Sequence, residues 1–233
     1  MSEIATQIMF ITMVGAVIAF GVLFWGVILG DRNTSMRMRK QLELVAERVR
    51  GHLHPPHNRA PLQIFSNQTG RDLRTNEPYV TKQFDGKDVI CLYFPSPAEG
   101  RGWTGAAVLV TGHEAQIPFI LLRRDDVVHV AQEHEGEEFD IANLPDYRLI
   151  AATPGEASRL LHSPKIPALL APEGEPAITE LYHRKGLLEV RVAQSPQKLS
   201  VASLERLMTR ATSLAHAFGV QESPSVQVSN AIH

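Results

Sequence analysis

The chain of 233 residues has a single cysteine, Cys91, and no surplus of charge of either sign. One thiol excludes a disulfide scaffold and a Cys-based zinc site. Twenty-three Lys and Arg against 25 Asp and Glu give a net charge of -2. An obligate nucleic-acid binder would carry a basic excess, so no nucleic-acid partner is expected. Hydrophobic residues make up 44% and charged residues 21%, which excludes a largely disordered chain. The most telling scarcity is local: residues 1–30 hold one charge, Glu3. Residues 31–60 hold seven basic and three acidic side chains, net +4, and residues 61–233 hold sixteen and twenty-one, net -5.

Within the charge-poor start, Ile8 to Leu29 is an uncharged run of 22 residues. At about 1.5 Å per residue it spans roughly 33 Å, enough for a bilayer core of about 30 Å. A buried core helix of that length would show a polar face, and none is visible. A cleaved signal peptide needs a basic n-region and a small-residue cleavage site, and MSEIATQ supplies no basic residue. An uncleaved transmembrane helix over 8–29 is therefore expected, with Phe24 and Trp25 as an interfacial anchor. Arg32, Arg37, Arg39, Lys40, Arg48 and Arg50 all follow the run, and nothing basic precedes it. The positive-inside rule predicts a single-pass protein of the cell membrane, N-terminus outside and C-terminal domain cytoplasmic. Arg32, Arg37, Arg39 and Lys40 are the expected interfacial basic residues. Gly15 with Ala19, and Gly26 with Gly30, are small-xxx-small pairs, the expected packing positions for a partner helix or for self-association.

Residues 31–60 read as a basic juxtamembrane helix followed by a Pro/His linker. Thr34 or Ser35 can cap the helix, and Met38, Leu42, Val45 and Val49 recur at helical spacing. It can lie on anionic headgroups or serve as a stalk; four apolar positions make a narrow stripe, which favours the stalk. Pro55 and Pro56 end it. Residues 61–219 read as one cytoplasmic α+β domain, a mixed and mainly antiparallel sheet with two or three helices. Strands are expected at Leu62–Ser66, Tyr79–Phe84, Val89–Pro95, Ala106–Thr111, Pro118–Arg123 and Tyr147–Ala152. A hairpin follows, Ala177–Tyr182 and Leu187–Ala193 about a turn at His183–Gly186. Helices are expected from Thr153 or Pro154, with Ala157, Leu160 and Leu161 inward, over Lys165–Ala171, and from Ser200 to about Gly219. The last has a broad apolar face from Val201 to Phe218. Residues 220–233 read as a disordered tail.

The order from Glu137 to Val192 is a Glu-Glu-Phe segment, a tyrosine-bearing strand, ATPGEASRLLHSPKIPALL and a hairpin ending LLEVRV. It resembles a domain of bacterial membrane-tethered proteins of unknown function, through Phe139, Glu156, Ala157, Arg159, Leu160 and Leu161. Ser158, between Ala157 and Arg159, departs from that pattern. The resemblance covers about a quarter of the chain and implies a membrane-anchored cytoplasmic module without assigned chemistry.

Candidate chemistry is sparse. His52, His54 and His57 could donate to a metal, but no Cys pair or helical H-E-x-x-H accompanies them. His129 and His134 stand among Glu133, Glu135, Glu137 and Glu138 at a spacing that fits neither an EF-hand nor a zincin, so a solvated acidic loop is expected. Gly100–Gly105 lacks the Gly-Lys-Ser/Thr ending of a phosphate loop, and Arg123-Arg124-Asp125-Asp126 can neutralise itself. There is no G-x-S-x-G, and Cys91 lies in an apolar strand. No catalytic residue, metal or cofactor is assigned. The reading is a non-enzymatic, membrane-anchored binding or assembly module whose partners are the lipid bilayer and a membrane protein or a second copy. The alternatives are an accessory structural subunit of a larger membrane complex and, third, a membrane-anchored metal-dependent hydrolase.

Overall fold

The computed structural model describes residues 13, 15, 16, 18, 20, 33–55, 78–84, 86–95, 103–113, 117–124, 137–184 and 186–219. Nine strands form one sheet: β1 (His52–His54), β2 (Tyr79–Phe84), β3 (Lys87–Pro95), β4 (Trp103–His113), β5 (Phe119–Arg123), β6 (Glu137–Asp140), β7 (Tyr147–Ala151), β8 (Glu180–Arg184) and β9 (Gly186–Val192). The helices among the described residues of the domain are α1 (residues 33–49), α2 (Pro154–Leu161), α3 (Lys165–Leu170) and α4 (Val201–Gly219). The class is α+β. The sheet was expected to be mixed, and every described pairing is antiparallel.

Spatial order runs β1-β2-β3-β4-β9-β8-β5-β7-β6. The first four strands meander, and the late β8–β9 hairpin inserts between β4 and β5, which are consecutive in sequence. The central strands bury both faces, so β3 reads as a continuous apolar run, VICLYF. One face carries Val89, Cys91, Tyr93, Val108, Val110, Leu188 and Val190 and meets the helices in the main core. The opposite face carries a separate apolar cluster of Tyr79, Ile90, Leu92, Ala107, Leu109 and Leu187, built from strand residues alone among the described ones.

Helix α4 lies along the main core face over β3, β4 and β9. Ser200 caps it by accepting the Ser203 N–H at 3.0 Å, and Leu204, Leu207, Met208, Ala211, Leu214, Ala215 and Phe218 are buried. Helix α2 opens on Pro154, where a missing N–H costs nothing, and buries Ala157 and Leu161. Helix α3 buries Ile166 and Leu170. Its terminal carbonyls, Leu169 and Leu170, accept from Arg210 of α4, which also donates to the Pro176 carbonyl, all at 2.8 Å. One guanidinium thus closes the end of one helix from the side of another.

Helix α1 departs from expectation. The anticipated stalk is a core helix: Met38, Leu42, Val45 and Val49 are all at most 8% exposed and join the main core, as does Ala46. Thr34 and Ser35, expected as caps, already lie within the helix. The start of the anticipated linker is a strand, since His52–His54 pairs with Thr81–Tyr79 as edge strand β1. The Glu137–Asp140 part of the expected acidic loop is strand β6, paired residue by residue with β7. Two of its acids have cations: Arg148 of β7 reaches Glu138 at 2.8 Å, and Arg124, just past β5, pairs with Asp140.

Of the apolar run 8–29, Met13, Gly15, Ala16, Ile18 and Phe20 are described; they are helical and exposed. Among the described residues no helix is long and apolar enough to cross a membrane. The rest of that run, the strand expected at Leu62–Ser66 and the tail 220–233 lie outside the described residues.

Candidate functional site: the basic helix and the buried ion cluster

Two places gather charged side chains. The first is helix α1. Its inner face is fixed in the core, which leaves its basic residues facing outward. Arg37, Arg39, Lys40 and Arg48 are exposed. Arg39 pairs with Glu43 one turn on at 3.0 Å, and Arg48 reaches Glu205 of α4 at 3.4 Å. The tie to α4 is Gln41, whose amide donates to the carbonyls of Leu199 at 2.6 Å and Pro196 at 3.2 Å, just before α4 begins. The Tyr93 hydroxyl donates to the Gln41 Oε1 at 2.7 Å, linking both to β3. Outside the run 8–29, the exposed large hydrophobic side chains among the described residues are Met36 and Leu44, both on α1, at 55% and 41% exposure.

The second place is the sheet face away from the helices. The tight connection between the paired Arg184 and Leu187, with Gly186 at φ 76°, sets Glu180 opposite Arg191 and Tyr182 opposite Glu189. Arg191 donates to Glu189 at 2.6 Å and to Glu180 at 3.0 Å, and Tyr182 donates its hydroxyl to Glu180 at 2.6 Å. The guanidinium lies over the Tyr182 ring at 4.8 Å and the Phe94 ring at 5.2 Å. Phe94 can lie there because its partner across the ladder is Gly105, where a Cβ would stand 2.8 Å from the ring. Burial disfavours the Arg191 charge, but Glu189, Tyr182 and Glu180 outweigh it and raise its pKa. The Tyr182 hydroxyl is also raised, by burial first and then by Glu180 against the opposing pull of Arg191. Two carboxylates, one guanidinium and one phenol satisfy one another, so the cluster locks the hairpin into register and leaves no nucleophile or free base.

Sequence reasoning missed this cluster through the turn. A four-residue turn at His183–Gly186 sets Glu180 opposite Glu189, a repulsive pair. The tighter turn moves the ladder by two residues and brings Arg191 opposite Glu180. The available signal was Lys185-Gly186 itself, a short glycine turn, together with the gain from pairing unlike charges.

The other sequence candidates scatter. His54 stacks on Tyr79 at 4.9 Å and lies 2.8 Å from the Thr81 hydroxyl; burial, then the nearby His52, lowers its pKa. His57, His129, Glu133, His134 and Glu135 lie outside the described residues, and among those described no group of three His, Cys, Asp or Glu could hold a metal. Cys91 is buried in β3 and burial pushes its thiol up to about 12, which makes it unreactive. Of the small-residue positions, Gly15 is helical with open space where a side chain would stand. Ala19, Gly26, Gly30 and Arg32 fall outside the described residues.

No family model matches the chain, and no curated protein does. Among solved structures, the fold is similar to that of the mycobacterial trehalose monomycolate transport factor A, TtfA, with a TM-score of 0.55 at 9% identity, covering 77% of this chain and 93% of that one. At that identity the likeness is one of fold: the α+β sheet-and-helix architecture described above is shared with a transport factor.

Proposed function

We propose that this protein is a single-pass, membrane-anchored module that binds or assembles a partner at the cytoplasmic face of the membrane and performs no chemistry itself. The observation that carries the reading is α1. The first described helical residue after the apolar run, Asn33, is four positions past Leu29, and the helix it opens is part of the domain core. So short a link in sequence would keep the domain close to the bilayer. The transport-factor name of the fold neighbour supports an accessory, non-enzymatic role, and the charged cluster on the sheet, satisfied within itself, fits that role. The resemblance of residues 137–192 to membrane-tethered domains points the same way. An accessory structural subunit of a larger membrane complex is the neighbouring reading, and stable co-purification with such a complex in mild detergent distinguishes it.

Orientation is tested with a cysteine at Ser2 or at Ser225 and an impermeant thiol reagent on intact cells. Cys91 stays in place because it is buried. The expected result is labelling at position 2 and protection at position 225. Labelling at 225 alone means an exported domain and removes the cytoplasmic reading.

A further inference from the structure

We infer that the outward face of α1 docks on the anionic headgroup layer of the membrane in which the protein is anchored, so that the domain lies against the bilayer in one orientation. The inference rests on the membrane-anchored reading above and adds a surface, a ligand chemistry and an orientation to it.

The argument begins with which face is free. An amphipathic helix next to a membrane would ordinarily turn its apolar stripe to the lipid, but Met38, Leu42, Val45 and Val49 are in the protein core. What α1 presents instead is Met36, Lys40 and Leu44, spaced i, i+4 and i+8 along one side, flanked by Arg37. All four are exposed. Met36 and Leu44 are the exposed large hydrophobics of the domain among the described residues, so the domain's apolar exposure is concentrated where it also carries basic charge. The charge is graded along the helix. Residues 33–40 hold Arg37, Arg39 and Lys40 with no acid, and Glu43 and Glu47 come only in the later half.

Geometry then selects the occupant. Leu29, the last residue of the apolar run, precedes Asn33 by four residues, a reach of at most about 14 Å. The basic, acid-free half of α1 is therefore the half next to the membrane exit. Basic side chains gain from the negative surface potential of the cytoplasmic leaflet only within about a Debye length, roughly 8 Å at physiological salt. Lys and Arg stems cover apolar surface while their heads stay at the phosphates, and two flanking apolar side chains can enter the headgroup boundary. Residues 61–233 carry net charge -5, so the basic helix is the side of the molecule that an anionic surface attracts.

The experiment uses the full chain reconstituted into vesicles of phosphatidylcholine alone or of phosphatidylcholine with phosphatidylglycerol. A polarity-sensitive fluorophore is attached through Leu44→Cys, with shallow spin-labelled lipid as quencher, and carbonate extraction is run on the same vesicles. Docking predicts an integral protein whose label is quenched in anionic vesicles and released by high salt or by phosphatidylcholine alone. In the Arg37→Gln/Lys40→Gln variant the ratio of docked to free helix should fall on the order of twentyfold, about fivefold per lost charge. Both positions are exposed, and unchanged far-UV circular dichroism confirms that the variant is folded. An integral protein with no lipid quenching in either composition overturns the docking and leaves the anchor intact; an acidic protein partner for this face would give that result. A label quenched equally in both compositions also overturns it, because the contact would not depend on anionic lipid. Protein released by carbonate overturns the anchored reading itself.

Discussion

Helices α1 and α4 pack side by side on one face of one sheet, yet only α4 announces its destination. Helix α4 turns seven buried apolar residues inward, in a broad stripe that no solvent-facing role explains. Helix α1 turns in five, Met38, Leu42, Val45, Ala46 and Val49, on a background of four basic residues. A narrow stripe is compatible with a stalk, a coiled-coil seam or a core contact. Width of the apolar face measures how many neighbours a helix has, not whether it is buried. Helix α1 lies beside α4, tied through Gln41 and Arg48, and therefore needs fewer apolar positions of its own.

The sharpest way to break that equivalence is to place a charge in each helix. Leu42→Asp and Leu207→Asp should each destabilise by more than about 4 kcal/mol, because both bury an unpaired carboxylate. A stalk helix would tolerate the first and not the second. Chemical denaturation in detergent that leaves Leu42→Asp near the parent midpoint would remove α1 from the core.

A somewhat smaller effect comes from the far end of α4. His183 of β8 is 1% exposed, stacks on Phe119 at 4.6 Å and meets the edge of Phe218 at 5.2 Å. Its Nδ1 is 2.7 Å from the Ile117 carbonyl, which can only accept, so that nitrogen carries the proton. Burial lowers its pKa from 6.5 to about 4, against the opposing Ile117 hydrogen bond. The unfolded chain takes up a proton near pH 6.5 and the folded chain only near 4. Stability is therefore full above about pH 6.5 and falls as pH drops toward 4, by roughly 3 kcal/mol. Unfolding free energies measured from pH 7 to 4 should show that slope, and His183→Phe should flatten it. An unchanged slope in the variant would assign the titration elsewhere.

The smallest effects probe the seam between the helices. Gln41→Ala removes three hydrogen bonds, among them the one the buried Tyr93 hydroxyl donates to Gln41, so a loss of about 1–3 kcal/mol is expected. Arg48→Ala breaks an exposed pair with Glu205 and should cost less than about 1 kcal/mol. If thermal melts reverse that order, the seam is electrostatic rather than hydrogen-bonded.

Much of the fold was legible where signals were local. Strands β2 to β5 and β7, the proline start of α2 and the α4 stripe follow from period, caps and breakers, all set by near neighbours. The missed elements were those whose residues suit two environments. Glu137–Asp140 reads as a solvated loop until Arg148 of β7 and Arg124 past β5 reach its acids. His52–His54 reads as linker until β2 offers an edge, and Glu189 and Arg191 read as an ordinary polar face until the turn sets their register.

The division between sequence and structure follows the range of the forces. Chain chemistry alone determined the uncharged run 8–29, the basic stretch behind it, the α+β class and the inertness of a thiol in an apolar strand. These depend on composition and on spacings of a few residues. Only the tertiary structure decided that the late β8–β9 hairpin separates β4 from β5, that Arg191 is buried between two glutamates, and that α1 turns its apolar side to the sheet and its basic side out. Those outcomes depend on contacts between residues as many as 158 positions apart, as from Gln41 to Leu199, and no local pattern encodes which partner such a residue meets.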